Sequence, residues 1–165
     1  DKLWDRQAIL DRAREVFVRV YMSREKGDPA AIPAEDLFPE AAEALRRQLA
    51  DQRASGVSFE FRNFCVRKVE LVLVRNFMDN DRDEFTARIT AHAQRVARRD
   101  GVVSSEQPDV TAFEEYWTFG RAENQWKLRE VEPPSRGRSK MAEENKDEES
   151  TRAQVEWYYK HSRAT

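Results

Sequence analysis

Alternation of apolar and polar side chains after Gly56 limits the fold more than any other feature of the sequence. In FTARITAHA, which starts at Phe85, every second residue is apolar, as in a strand with one buried face. The segment 57–79 is rich in β-branched and aromatic residues and predicts one long bent strand or two strands. The segments 110–121 and 125–133 predict two more strands, joined as a hairpin by a short turn.

Two helical segments precede these strands. From Leu3 to about Arg24, apolar residues recur every three or four positions, which predicts an amphipathic helix. AEDLF then predicts one short turn, and Pro39 suits the first position of a second helix that Gly56 closes. Helices followed by antiparallel strands predict an α+β fold, with the helices packed on one face of a curved sheet.

The remaining segments are predicted to be connections and a tail. RRDGVVSSEQPD, residues 98–109, is predicted to link two strands. From residue 133 the chain becomes turn-rich and highly charged, and TRAQVEWYYKHS predicts a closing helix. We therefore expect an α+β domain at 1–132 and a charged linker with a helical tail at 133–165. Because the chain starts at Asp1 without a Met, we also expect it to be the soluble part of a longer protein.

Composition excludes several classes of function. The chain has 29 Lys+Arg and 31 Asp+Glu, a net charge of −2, so its overall field does not attract nucleic acid. No run of about 18 apolar residues is present that would span a bilayer. The one cysteine, Cys65, is expected to be a small buried hydrophobe. Without a P-loop, GxGxxG or GxSxG motif, no cofactor is predicted.

Groups able to perform catalysis are few. The two histidines, His92 and His161, have no partner at metal-ligand spacing, so no metal site is predicted. Glu70 and Glu115 lie on predicted strands, where a carboxylate that faces an apolar interior would gain a raised pKa and act as a base. Alternatively, each faces water or pairs with a cross-strand arginine.

The segment EEYWTFGR, residues 114–121, concentrates acids, aromatics and arginine. The period of two places Glu115, Trp117, Phe119 and Arg121 on one face of a strand. We expect the two aromatics to fill the space against the helices, while Glu115 and Arg121 act as polar ties at the ends of the apolar strip. The segment is therefore interpreted as a structural strand, with catalysis as the alternative.

The last two strands carry a recognisable pattern of residues. It consists of Glu115, Trp117, Thr118, Phe119 and Arg121, a short turn, and then Trp126, Leu128 and Val131. This pattern resembles the closing hairpin of the Tim44-like domain family, which is named for a scaffold subunit of the mitochondrial inner-membrane protein import machinery. Roughly residues 3–132 follow the family's order of elements. The resemblance implies a cone of the nuclear-transport-factor-two-like superfamily, in which Trp117, Phe119, Trp126 and Leu128 form the core wall.

The resemblance also implies a function. Family members are non-catalytic scaffolds at a membrane face that bind protein partners and anionic lipid, so we expect a bacterial-type module peripheral to the inner membrane. The residues expected to contact the surface are on the first helix: Trp4, Arg6, Arg12 and Arg19. Attraction of about 1 kcal/mol per basic residue is offset by the acids of the same helix.

A rival hypothesis comes from enzymes with the same cone. Small isomerases, dehydratases and cyclases of this shape use an interior carboxylate or His beside a Tyr. The candidate catalytic residues would be Glu70, His92, Glu115 and Tyr116. A third hypothesis is that the cone holds a small hydrophobic ligand without reacting with it. An open pocket with one of these groups in its lining would favour the enzyme, and a filled cone would favour the scaffold.

Overall fold

The computed structural model describes residues 2–134 and 146–147. Within the first range, two helices precede a series of strands, in the predicted order. The predicted closing helix, with Trp157, Tyr158, Tyr159 and His161, lies outside the described residues.

Helix α1 runs from Arg6 to Lys26. The Asp5 carboxylate caps its N-terminus by accepting a hydrogen bond from the Ala8 amide, and Gly27 ends it in a left-handed conformation, at φ 70°. Short 3-10 turns lead to helix α2, Pro39–Ala54, which begins on proline. Each helix buries one apolar stripe against the sheet, and the two stripes meet in one core.

Six strands follow the helices: β1 Val57–Asn76, β2 Glu84–Arg99, β3 Val102–Glu106, β4 Thr111–Ala122, β5 Gln125–Glu132 and β6 Lys146–Asp147. They form one sheet in the order β5-β4-β2-β1-β6, antiparallel except for the two-residue strand β6, and β3 pairs with β2 beyond the end of β4. The pairing of β1 with β2 contains three register shifts, each of which bends and twists the strand.

The sheet therefore has two faces, which we call inner and outer. The inner face packs on α1 and α2, and it carries the alternating residues of β2 that were predicted to be buried, such as Ala87, Ile89 and Ala91. The predicted α+β fold, with helices on one face of a curved antiparallel sheet, is confirmed.

One predicted connection contains a strand. Residues 102–106 of the supposed linker form β3, which pairs with β2 after a tight turn at Asp100 and Gly101. Both turn residues have positive φ (52° and 81°), as the favoured two-residue hairpin turns require. All five residues of β3 are exposed, so its sequence has no buried face to produce alternation.

The expectation for Cys65 is wrong, because its side chain is exposed. The register of β1 against β2 shifts between Arg62 and Cys65, and Asn63 takes a positive φ of 57° there. Phe64 consequently turns inward and stacks on Phe17, with 5.8 Å between the ring centroids. The bulge thus places Phe64, and not Cys65, on the face that packs on the helices.

Candidate functional site

The strand β4 brings Glu115 to the inner face, against helix α1. Its Oε1 atom accepts hydrogen bonds from the Tyr21 hydroxyl (2.8 Å) and from Nε1 of Trp117 (3.2 Å). Trp117 is fully buried, and its ring lies 4.8 Å from that of Phe17. Burial and the adjacent carboxylate together raise the pKa of Tyr21 above its ordinary value. Glu115 therefore accepts one hydrogen bond from helix α1 and one from its own strand, β4.

Arg121 lies at the other end of the same strand, on a buried acid. Its Nη1 donates to Oδ2 of Asp83 at 3.2 Å, and Asp83 also accepts from the Phe77 amide at 2.7 Å. Between the two ends, the Phe119 ring is buried and stacks on Phe85 at 5.0 Å. Through Asp83, these hydrogen bonds attach strand β4 to the loop between β1 and β2.

The second strand of the hairpin contacts the start of the chain. Nε1 of Trp126 donates to the Leu3 carbonyl oxygen at 2.8 Å, and its ring meets that of Trp4 edge to face at 4.9 Å. The Leu128 carbonyl oxygen accepts from the Phe38 amide at 2.9 Å. Both Trp126 and Leu128 are buried in the core.

The arginines proposed for surface contact have internal partners. Arg12 donates from Nε to the Trp126 carbonyl oxygen (2.9 Å) and from Nη1 to Oδ1 of Asp36 (3.0 Å). Arg19 donates to the other Asp36 oxygen at 3.0 Å and pairs with Glu15 at 2.6 Å. The hydrogen bond to Asp36 raises the pKa of Arg19. Trp4 and Arg6, the other members of this set, are half-buried at the start of the chain.

Sequence reasoning missed Asp36, which is buried in a short 3-10 turn. A signal was present in the helix: Arg12 and Arg19 are seven residues apart, so they lie on the same side of α1 and can reach one acid. Nothing in AEDLF itself indicated that its aspartate, and not its glutamate, would be the buried partner.

The four candidate catalytic residues do not converge. Glu115 is on the inner face, whereas Glu70, Tyr116 and His92 are on the outer face of the sheet. Glu70 is buried and receives two hydrogen bonds from Arg88, at 3.1 and 2.8 Å, and these bonds raise the pKa of the guanidinium. Tyr116 also hydrogen-bonds to Arg88. His92 Nδ1 lies 3.3 Å from Nη1 of Arg67, on a half-exposed part of the strand.

A cavity of about 480 Å³ opens on the inner face, between the two helices and the sheet. Tyr21 and Glu115 form part of its lining, together with two aromatic residues of β1, Phe59 and Phe61. The rest of the lining is mainly polar: Arg24, Gln48, Gln52, Arg95, Ala97, Ser105 and Gln107. This volume is in the range of small-molecule sites, and the sequence had indicated only Glu115 among its residues.

Metal binding and membrane spanning find no basis within the described residues. Residues 2–134 contain no group of three or more His, Cys, Asp or Glu side chains placed to hold a metal ion. The described helices are too short or too polar to cross a membrane.

Comparison with known proteins identifies the fold and the family. Residues 1–133 match the Tim44-like domain. Among solved structures, the intermembrane space region of the chloroplast protein ARC6 is similar at a TM-score of 0.52 and 12% identity, covering 75% of this chain and 95% of that chain. A de novo designed β-sheet protein matches at a TM-score of 0.37 and 15% identity, covering 88% and 96%. No curated protein matches.

The family match extends over both helices and the strands to the end of the closing hairpin. It confirms the resemblance carried by that hairpin, and the likeness to the ARC6 region confirms the fold. The family match supports a membrane-associated scaffold or binding module in general. The chain belongs to the Tim44-like domain family.

Proposed function

We propose that this protein is a non-catalytic binding module that works at a membrane face, in a bacterial cell at the inner membrane, and holds a protein partner there. The observation that carries the proposal is the match of residues 1–133, the whole α+β unit, to the Tim44-like domain. The dispersal of Glu70, His92 and Tyr116 away from Glu115 favours binding over catalysis, because acid–base chemistry needs its groups within reach of one substrate.

We further propose that one part of the surface contacts anionic lipid. We assign it to the start of helix α1, with Trp4 and Arg6 as its centre. Arg12 and Arg19 contribute less, since their donors are bound to Asp36 and Glu15. The exposed acids of α1 weaken the attraction further, so the contact is expected to be weak and sensitive to salt.

Flotation with cardiolipin-containing liposomes tests this contact. The wild-type chain is expected to float at low ionic strength and to be released as salt is added. Arg6→Glu should reduce the floating fraction. Arg47→Glu, the same charge change on the exposed face of α2, serves as the matched control and should leave it nearly unchanged. Failure of the wild-type chain to float at any salt concentration would overturn the lipid contact. The proposed scaffold role would survive and would depend on a protein partner alone.

A second candidate function is supported by the cavity. We propose that the cone holds a small, largely hydrophobic molecule without transforming it. Phe59, Phe61 and the ring of Tyr21 supply apolar surface, and the opening toward solvent provides a route of entry. Equilibrium binding measurements on the whole chain test this function.

A further inference from the structure

Two arginines line the cavity, Arg24 and Arg95. Among the described residues, neither Arg24 nor Arg95 forms an ion pair with a carboxylate. Arg24 lies over the Tyr21 ring, 4.9 Å from its centroid, and Arg95 lies over the Phe113 ring at 4.7 Å. These cation–π contacts fix the positions of the guanidinium groups and leave their N–H donors available.

Other arginines close to this core differ in this respect. Arg12, Arg19, Arg88 and Arg121 each donate to a buried carboxylate. Arg24, by contrast, has a buried Nε that meets no acceptor within the described part of the chain. An unpaired buried donor destabilises the folded state, so an acceptor supplied by a ligand would relieve this cost.

The charges of the cavity lining favour an anion. The lining contains these two guanidinium groups and one carboxylate, Glu115, whose Oε1 already accepts from Tyr21 and Trp117. The formal charge of the lining is therefore +1, which one negative group on a ligand would neutralise. The side-chain amides of Gln48 and Gln52 line the same cavity and supply further donors.

The shape of the lining favours an apolar body behind that anion. Phe59 and Phe61 lie on the strand that forms one wall, and Tyr21 packs edge to face on Phe61 at 5.2 Å between ring centroids. A volume of about 480 Å³ accommodates one chain or ring with its headgroup. A whole diacyl phospholipid is too large for it.

We propose that the cavity binds one anionic amphiphile, a molecule with a single carboxylate or phosphate group on an apolar chain, with its anion held between Arg24 and Arg95. The proposal rests on the second function proposed above, ligand retention in the cone.

Isothermal titration calorimetry of the whole chain tests the proposal, with dodecanoate, dodecyl phosphate and neutral dodecanol as probes. The two anions are kept below their micelle concentrations and dodecanol below its solubility limit. The two anions are expected to bind at least tenfold more tightly than dodecanol. Arg24→Gln and Arg95→Gln should each weaken dodecanoate binding by about tenfold, while dodecanol binding stays constant. Arg47→Gln on α2 is the matched control and should leave all three affinities unchanged.

Glu115→Gln keeps the shape of the lining and removes the opposing charge, so it should tighten binding of dodecanoate and leave dodecanol unaffected. Because Glu115→Gln and the arginine variants should change dodecanoate affinity in opposite directions, the comparison distinguishes electrostatic selection of the anion from damage to the fold. Urea unfolding of each variant monitors the fold independently.

The outcomes distinguish selection of an anion from retention of a ligand in general. Equal affinity for dodecanol and dodecanoate would overturn selection of an anion while ligand retention survives. Absence of binding by all three probes would overturn both. Binding to anionic vesicles alone, with no binding of the soluble probes, would overturn the proposal and assign the anion-binding surface to the membrane contact of α1.

Discussion

The Tyr21 hydroxyl donates a 2.8 Å hydrogen bond to Oε1 of Glu115 and thereby joins helix α1 to the middle of strand β4. The same oxygen accepts from Nε1 of Trp117, so one carboxylate atom fixes a helix residue and a core tryptophan together. Because this group also lines the cavity, it links the stability of the cone to the shape of the proposed site.

Removing the hydroxyl should destabilise the protein measurably. Tyr21→Phe keeps the ring among its aromatic neighbours but deletes a hydrogen bond to a charged acceptor, at a cost of about 1.5–3 kcal/mol in the free energy of unfolding. Glu115→Gln should cost less, since the amide oxygen still accepts from Tyr21. Urea unfolding measures both changes. Equal stability of Tyr21→Phe and the wild-type chain would contradict the role assigned to this bond.

The raised pKa of Tyr21 predicts a fall of stability at alkaline pH. The unfolded chain loses this proton near pH 10, whereas the folded chain keeps it, because burial and Glu115 disfavour the phenolate. The contribution is therefore fully present below about pH 10 and is lost as the pH rises toward the folded pKa. Ultraviolet titration of tyrosinate in the wild-type chain and in Tyr21→Phe isolates this residue. A difference spectrum that titrates near pH 10 would refute the prediction.

The general architecture could be predicted because its signals are local. The stripe of α1, the Pro39 start of α2 and the alternation in β2 each follow from the spacing of neighbouring residues. The hairpin of β4 and β5 was visible for the same reason, from two apolar runs separated by a short turn.

The site could not be predicted because it depends on contacts distant in sequence. Tyr21 and Glu115 are 94 residues apart, and their meeting requires the bend of the whole sheet around α1. Arg24 and Arg95 become a pair only when the last turn of α1 reaches the far end of β2. Cys65 shows a similar limit at short range: its residue type favoured burial, but the bulge between Arg62 and Cys65 leaves it exposed.

Asp36 should be among the polar residues on which the fold depends most. Its side chain is 3% exposed and bonds Arg12 and Arg19 at 3.0 Å each. Asp36→Asn therefore leaves the largely buried guanidinium of Arg12 with only the more exposed carboxylate of Glu15, 3.6 Å away, as counter-charge among the described residues. We expect a loss of about 3 kcal/mol in the free energy of unfolding. Glu43→Gln is the matched control, because the exposed pair of Glu43 with Arg47 contributes about 0.5 kcal/mol or less. Similar losses in both variants would refute the buried role of Asp36.

The turn between β4 and β5 should allow the protein to be stabilised away from the site. Glu123 and Asn124 both have positive φ, 54° and 59°, a conformation that strains most side chains and that Asn-Gly adopts readily. The double variant Glu123→Asn/Asn124→Gly should therefore stabilise the chain by about 1 kcal/mol, despite the loss of the exposed Glu123–Lys127 pair. Urea unfolding gives the change, and dodecanoate titration checks that the cavity is unaffected.

The turn at Asp100 and Gly101 already has a favoured pair, so Asp100→Asn is the control and should leave the stability within about 0.5 kcal/mol. A double variant that is no more stable than the wild-type chain would show that the two left-handed residues are not strained.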